Sequence, residues 1–451
     1  VSVERVPFVD RRTVLAQIHD ALRAASPEAP PVFFIQAPGG MGKTELLREV
    51  LRRCRNGEWD GRRWAAATDV IDFYHLGTHT VEGLSSAIHD ALQPGPSFFI
   101  NFRSRLRDLE ERRLHLGGLL QAVSDLRDRV GRGLIEDLNS LARVRPVVLA
   151  LDTAERLLYE PDEVQDALGM GMEEIGVAVL PWLLREFLPR IRNVAVLFAG
   201  RSTPETFSRL LDDLRKNVGD RLRVIELGAF GLEDALEYWE AASRVAEQER
   251  PDLAARLRAI GPDRRRVIHH YTGGRPILLS LTLDYLLRAD QLPDDLKEPE
   301  AVAVARTGEE LAEVQGRLEA HLVKEFQERG LPADPAIRLL GWARRGVDRK
   351  LLGRLLGRSE AEADQVFETL RKLSFVKVRP ADQRLFLHDE MYELLWKHVL
   401  QFDEIGRARA FDAILGYYAE EIESARSALA EAPTDVNRQA DLYRLKAEEV
   451  H

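Results

Sequence analysis

Along the first 228 residues, short unbroken apolar runs alternate with amphipathic stretches of 3.6-residue period. The run VFFIQ at 32–36, rich in β-branched and aromatic residues, predicts a strand buried on both faces, as in a parallel sheet. Further strands are expected over 70–75, over 147–151 ending in Asp152, over 194–199 before Gly200 and Arg201, and over 222–227. Helices are expected over 13–24 and 44–55. The mostly helical stretch 80–145 is long for one crossover and predicts an inserted helical hairpin. The acidic, Gly- and Met-containing residues 160–176 read as a flexible insert. Five strands alternating with helices predict an α/β domain over 1–228, an open parallel sheet with helices on both faces.

The pattern then changes. Residues 229–330 are helical by period, broken by the turn Gly273-Gly274-Arg275-Pro276. Residues 331–400 predict three short helices and then two β-like runs, 375–379 and 384–388, joined by a turn at 380–383, which is the winged-helix pattern. Residues 401–451 predict two more amphipathic helices, with a Tyr417-Tyr418 and Ala-rich pattern like the start of a helical repeat array.

The candidate chemistry begins where the first strand meets its helix. Ala37-Pro38-Gly39-Gly40-Met41-Gly42-Lys43-Thr44 fits the phosphate-binding loop, with Ala37 in place of the first glycine. Glycines let backbone N–H groups curl around phosphates, and the helix N-terminus adds partial positive charge. Lys43 is the expected bridge between β- and γ-phosphates, and the Thr44 hydroxyl the expected Mg2+ ligand. Glu45 follows in the first helical turn. VVLAL ending in Asp152 is an apolar strand with a carboxylate at its tip, suited to holding Mg2+ opposite that loop. Glu155, three residues on, is placed to orient or deprotonate water. Arg201, at the tip of VAVLFAG, is a cation suited to sensing a γ-phosphate. The fold class expected is therefore an α/β P-loop NTPase followed by a helical lid, a winged-helix domain and C-terminal helices.

Composition sharpens this reading. Only nine of the 64 Lys and Arg residues are lysine, and the first 215 residues contain one, Lys43. Arginine serves surface charge equally well, whereas a compact ammonium is needed in a tight phosphate loop. At ~100–200 residues per domain, a chain of 451 residues suggests two to four domains. The most apolar run, 176–184, is broken by Pro181 and far short of the ~20 residues of a membrane helix, so no membrane partner is expected. The single cysteine, Cys54, excludes a disulfide framework and a Cys-based zinc site and points to a reducing cytoplasm. The net charge of −10 argues against non-specific nucleic-acid binding as the main role. The chain starts at Val1 and stops at His451 just after a helical pattern, so further domains are expected on one or both sides.

These residues together resemble the STAND class of P-loop NTPases within the broader AAA+ group, which includes NB-ARC and NACHT proteins. The resemblance covers residues 7–400. Phe8-Val9-Asp10-Arg11 resembles the family's N-terminal motif, implying that Val9 and Arg11 bracket the adenine, with Asp10 in place of the usual glycine. Gly274-Arg275-Pro276 resembles the GxP motif, implying that Pro276 packs on the adenine. Leu387-His388-Asp389 resembles the MHD motif, implying that His388 reaches the β-phosphate of ADP. Thr153 stands where many relatives have a second acidic residue. The resemblance implies an ATP/ADP-dependent signalling switch that hydrolyses ATP slowly and forms a homo-oligomer on activation. It also implies a trigger sensed by missing C-terminal repeats and an upstream effector domain. Bacterial defence or regulation fits the arginine bias.

The alternative is an AAA+ origin-recognition or transcription regulator. Residues 337–380 carry eleven Lys and Arg against five Asp and Glu. The third helix, however, carries Glu360, Glu362, Asp364 and Glu368, which would face phosphate and argue against DNA. His75, His79, His269 and His270 read as structural.

Overall fold

The computed structural model describes residues 8–9, 11–59, 61, 64–73, 76–95, 97–113, 120–158, 179–201, 204–249, 251–286, 291–328, 334–373, 375–378, 383–431 and 445. They fall into two compact units. One contains Arg11–Pro38, Lys43–Leu227 and Glu421–His451. The other contains Val1–Asp10, Gly39–Gly42 and Gly228–Glu420.

The first unit is built on a parallel sheet of six strands among the described residues. These are β1 (Val32–Gln36), β2 (Ala65–Ala66), β3 (Ile71–Asp72), β4 (Val147–Asp152), β5 (Val194–Gly200) and β6 (Leu222–Glu226). The order is β2-β4-β5-β1-β6, with β3 also pairing with β4. The three central strands are the continuous apolar runs. Every residue of β4 and β5, and Val32 to Ile35 of β1, is buried, which requires cover on both faces. Phe34 and Phe198, opposite each other in register, stack with centroids 6.5 Å apart. Edge strand β6 buries only Ile225.

The strand expected over 70–75 appears as β3 at Ile71–Asp72, and a further two-residue strand that the pattern did not foretell, β2, precedes it at Ala65–Ala66. Between β2 and β3, Asp69 Oδ1 accepts the Val70 N–H at 2.7 Å, so the side chain takes the place of a ladder partner there. The helical hairpin in the long crossover is present. Helices Ile100–Arg113 and Leu120–Val144 follow helix Val81–Leu92. Asp137 ties the hairpin by accepting from the Phe102 N–H and the Asn101 amide, each at 2.8 Å. Gly133 lets the helices approach, since a Cβ there would lie 3.2 Å from the Phe102 backbone. The expected insert at 160–176 lies outside the described residues.

The second unit is helical from Leu232–Glu249 through Gly308–Glu328. Three short helices follow, Asp334–Trp342, Arg349–Leu356 and Glu360–Leu370. Then comes an antiparallel pair, β7 (Val376–Val378) and β8 (Leu385–Leu387). The first of the two terminal helices is Glu404–Glu431, while the second falls outside the described residues apart from Leu445. Among the described residues, no helix is long and apolar enough to cross a membrane.

Candidate functional site

The buried centre of the sheet fixes where the polar residues emerge. β1 ends at Gln36, and Ala37, still buried, donates its N–H to the Gly200 carbonyl at 3.3 Å. Ala37 is not among the residues with positive φ, so a side chain replaces the usual glycine there without backbone strain. Gly40 and Gly42, by contrast, have φ of 69° and 84°, where a Cβ is penalised. The chain then enters helix Lys43–Asn56. The Lys43 ammonium donates to the Ala37 and Pro38 carbonyls, each at 2.8 Å, so it curls over the loop that precedes it.

β4 delivers Asp152 beside this helix. The Thr44 hydroxyl donates to Asp152 Oδ2 at 2.5 Å, and the Thr153 N–H donates to Oδ1 at 2.9 Å. Asp152 is buried, and both its oxygens are engaged. Thr44 and Asp152 offer two convergent hard oxygen donors, the set Mg2+ takes alongside water and phosphate oxygens. Among the described residues no group of three His, Cys, Asp or Glu could hold a metal by protein ligands alone.

Glu155 lies in the 3-10 turn Ala154–Leu158 that follows β4. Its Oε2 accepts the Arg201 N–H at 3.1 Å, and the Arg201 guanidinium approaches Oε1 at 3.9 Å. Gly200 makes room, since a Cβ there would lie 3.0 Å from Oε2. Burial pushes the Glu155 carboxyl above its ordinary value, and the Asp152 charge adds to the push. Its bonds to backbone N–H groups and the Lys43 charge oppose it. Lys43, Thr44, Asp152, Glu155 and Arg201 thus gather at the C-terminal ends of three adjacent strands.

The other expected residues are carried by other elements. Arg11 has φ of 65° and caps helix Arg12–Ala24 with its carbonyl; Val9 is buried; Asp10 is outside the described residues. In the second unit, Pro276 opens helix Pro276–Leu286 after Gly273 and Gly274, with φ of 59° and 64°. Gly274 admits no side chain, since a Cβ would lie 2.3 Å from the Phe230 carbonyl oxygen. His388 precedes helix Asp389–His398, and its N–H donates to Phe375 O at 2.9 Å. His79, His269 and His270 bond to backbone carbonyls, while His75 lies outside the described residues.

The sequence reading missed a charged cluster in the second unit. The Arg275 guanidinium donates to Glu319 Oε1 at 2.6 Å and to Glu390. Lys397 donates to Glu319 Oε2 at 2.8 Å. Burial alone would raise the Glu319 carboxyl. The Lys397 ammonium and Arg275 guanidinium outweigh burial and hold it below its ordinary value. Its stabilising share is therefore present above the unfolded pKa of about 4.3 and is lost as pH falls through the depressed value. The loop tip Gly39–Gly42 belongs to this unit. A Cβ on Gly40 would lie 2.8 Å from Ile277 Cγ2 and 2.9 Å from Glu390 Cγ. The one sequence signal for Glu390 is a carboxylate on the apolar side of its helix. Arg275→Ala leaves two buried carboxylates short of a partner. The expected loss is roughly 2 kcal/mol, below the ~3–5 kcal/mol of a fully buried pair because Arg275 is partly exposed. Urea denaturation checks this, and adding Glu390→Gln should recover part of the loss.

Residues 7–179 match the family model of the AAA ATPase domain. No curated protein matches the sequence. Similar solved structures include the ORC2 protein of Aeropyrum pernix in ADPNP–ADP complexes. It is 13% identical with a TM-score of 0.38, covering 88% of this chain and 97% of that one. The ORC1 protein of the same organism in complex with DNA is 15% identical with a TM-score of 0.32, covering 87% and 93%. Cdc6p of Pyrobaculum aerophilum is 15% identical with a TM-score of 0.36, covering 88% and 97%.

Proposed function

We propose that this protein is an ATP/ADP-dependent switch that binds nucleotide with Mg2+ at the ends of β1, β4 and β5 and hydrolyses ATP slowly. The observation that carries this reading is the hydrogen bond from Thr44 to Asp152. It joins the glycine loop after β1, with its lysine, to the buried carboxylate at the tip of β4. The AAA ATPase match over 7–179 supports it. Mg2+, when bound, supplies charge neutralisation at the phosphates. Lys43 binds the phosphate oxygens, Glu155 orients or accepts a proton from water, and Arg201 holds the Glu155 carboxylate through its N–H.

The finer reading is a STAND-type signalling switch. Its ADP form is closed, ATP replaces ADP on activation, and the subunits then form a homo-oligomer in bacterial defence or regulation. The logic is that of a nucleotide biasing a two-state element. The first test is nucleotide content: ADP released on heating and measured by chromatography supports a closed resting state. Size-exclusion chromatography in ATP against ADP then reads assembly, and equal mass in both removes the oligomerising switch. Asp389→Val should speed ADP release and favour assembly. Unchanged release returns His388 and Asp389 to a structural role.

One observation favours the second reading, a DNA-binding regulator. Two of the acidic groups on the third winged-helix helix, Asp364 and Glu368, are paired with Arg349, and Glu362 caps its own helix at Ser359. The acidic charge held against DNA is therefore partly compensated. DNA binding whose log affinity falls linearly with log salt would favour this reading.

A further inference from the structure

Thr153 has φ of 59°, and it is β-branched and buried. A β-branched residue in the left-handed region is strained and persists only where its surroundings over-determine it. Three bonds hold it. Its hydroxyl donates to Asp72 Oδ1 at 2.6 Å, its N–H to Asp152 Oδ1 at 2.9 Å, and its carbonyl accepts the Arg156 N–H at 3.0 Å. The first bond comes from outside the local chain. β3 is only two residues long and pairs with β4 with Asp72 opposite Asp152, and the Phe73 N–H then donates to Asp152 O at 3.1 Å. That short strand delivers Asp72 to the Thr153 hydroxyl.

The strain has two consequences at the nucleotide site. It turns the Thr153 N–H onto Asp152 Oδ1, leaving Oδ2 to the Thr44 hydroxyl. It also sets the direction in which the chain enters the 3-10 turn that carries Glu155. We infer that Asp72 and Thr153 are positioning residues for this site: Asp72 locks Thr153 in its left-handed conformation, and Thr153 in turn fixes the Asp152 carboxylate and aims Glu155. This rests on the proposed nucleotide site. Neither residue touches the reacting atoms. A carboxylate from the adjacent strand thus holds this threonine in place.

The test compares paired substitutions in the full chain. Thr153→Val keeps the shape and deletes the donor, while Thr153→Ser keeps the donor. Asp72→Ala deletes the acceptor, while Asp72→Asn keeps an acceptor oxygen. Thr153→Val and Asp72→Ala should each lose roughly 10-fold or more in kcat and in the Mg2+ midpoint of ATP binding, the range typical of groups that orient a metal's ligands. Metal-free ATP affinity should stay unchanged. Thr153→Ser and Asp72→Asn should remain near wild type. Should Thr153→Val not fold, Asp72→Ala, at a half-exposed position, carries the same comparison. Wild-type kcat and Mg2+ midpoint in the deletion variants overturn the inference, as does an equal loss in all four. Lys43→Ala runs alongside. Undiminished ATP binding there overturns the site assignment beneath this inference, whereas lost binding with unaffected Thr153→Val overturns the inference alone.

Discussion

Lys43→Ala should weaken ATP binding by roughly 100- to 10,000-fold. The figure follows from two charge-assisted hydrogen bonds of about 1.5–3 kcal/mol each, at about 1.4 kcal/mol per decade. The lower end is favoured. The ammonium already bonds the Ala37 and Pro38 carbonyls, so nucleotide exchanges contacts rather than adding them to a bare charge. Lys43→Arg should not rescue, because a planar guanidinium cannot replace a point charge inside the loop. Titration calorimetry reads the affinity directly. Thermal unfolding gives a second reading: ATP at 100 times the wild-type Kd should stabilise the wild type by about 2.7 kcal/mol and the variant by no more than about 0.4 kcal/mol. Wild-type affinity in Lys43→Ala would remove the phosphate loop from the account.

The difference between what the chain's pattern foretells and what only the fold reveals follows from the range of each interaction. β1, β4 and β5 are buried on both faces, so their residues must be uniformly apolar, and they stand out as runs. β2 and β3 have two residues each, too few for any period to register. Lys43, Thr44, Asp152 and Arg201 are legible because each sits in a glycine loop or just past such a run, and Glu155 because it follows Asp152 by three residues. Asp72 was not. It sits 81 positions from Thr153 and acquires its role only when β3 pairs with β4. The Arg275–Glu390 pair spans 115 positions and is opaque for the same reason. The charge of the third helix in the winged region also depends on a tertiary partner. Charges counted along the chain are partly cancelled by Arg349, which only tertiary structure brings near.

Glu155→Gln should keep ATP binding and lower turnover by about 10²–10⁴-fold, the usual contribution of a positioned general base. The amide keeps the shape and an oxygen for the Arg201 N–H, so the loss isolates the missing charge. Two further signatures separate this from damage to the fold. Burial raises the folded-state value of Glu155 above the unfolded value of about 4.3. Between the two values the folded state binds the proton more tightly, so stability falls as pH rises through that window and the charged carboxylate is destabilising above it. Glu155→Gln should therefore be at least as stable as wild type near pH 7 and lose that advantage in acid. The rate should show the opposite limb. Wild-type turnover should fall on acidification through the raised Glu155 value, at a higher pH than an ordinary carboxylate would impose, and the residual rate of Glu155→Gln should lack that limb. Turnover and pH profile are read by phosphate release, and stability by denaturation at matched pH. An unchanged acid limb in the variant would assign the proton transfer to another group, and a fall in stability at pH 7 would contradict the burial argument.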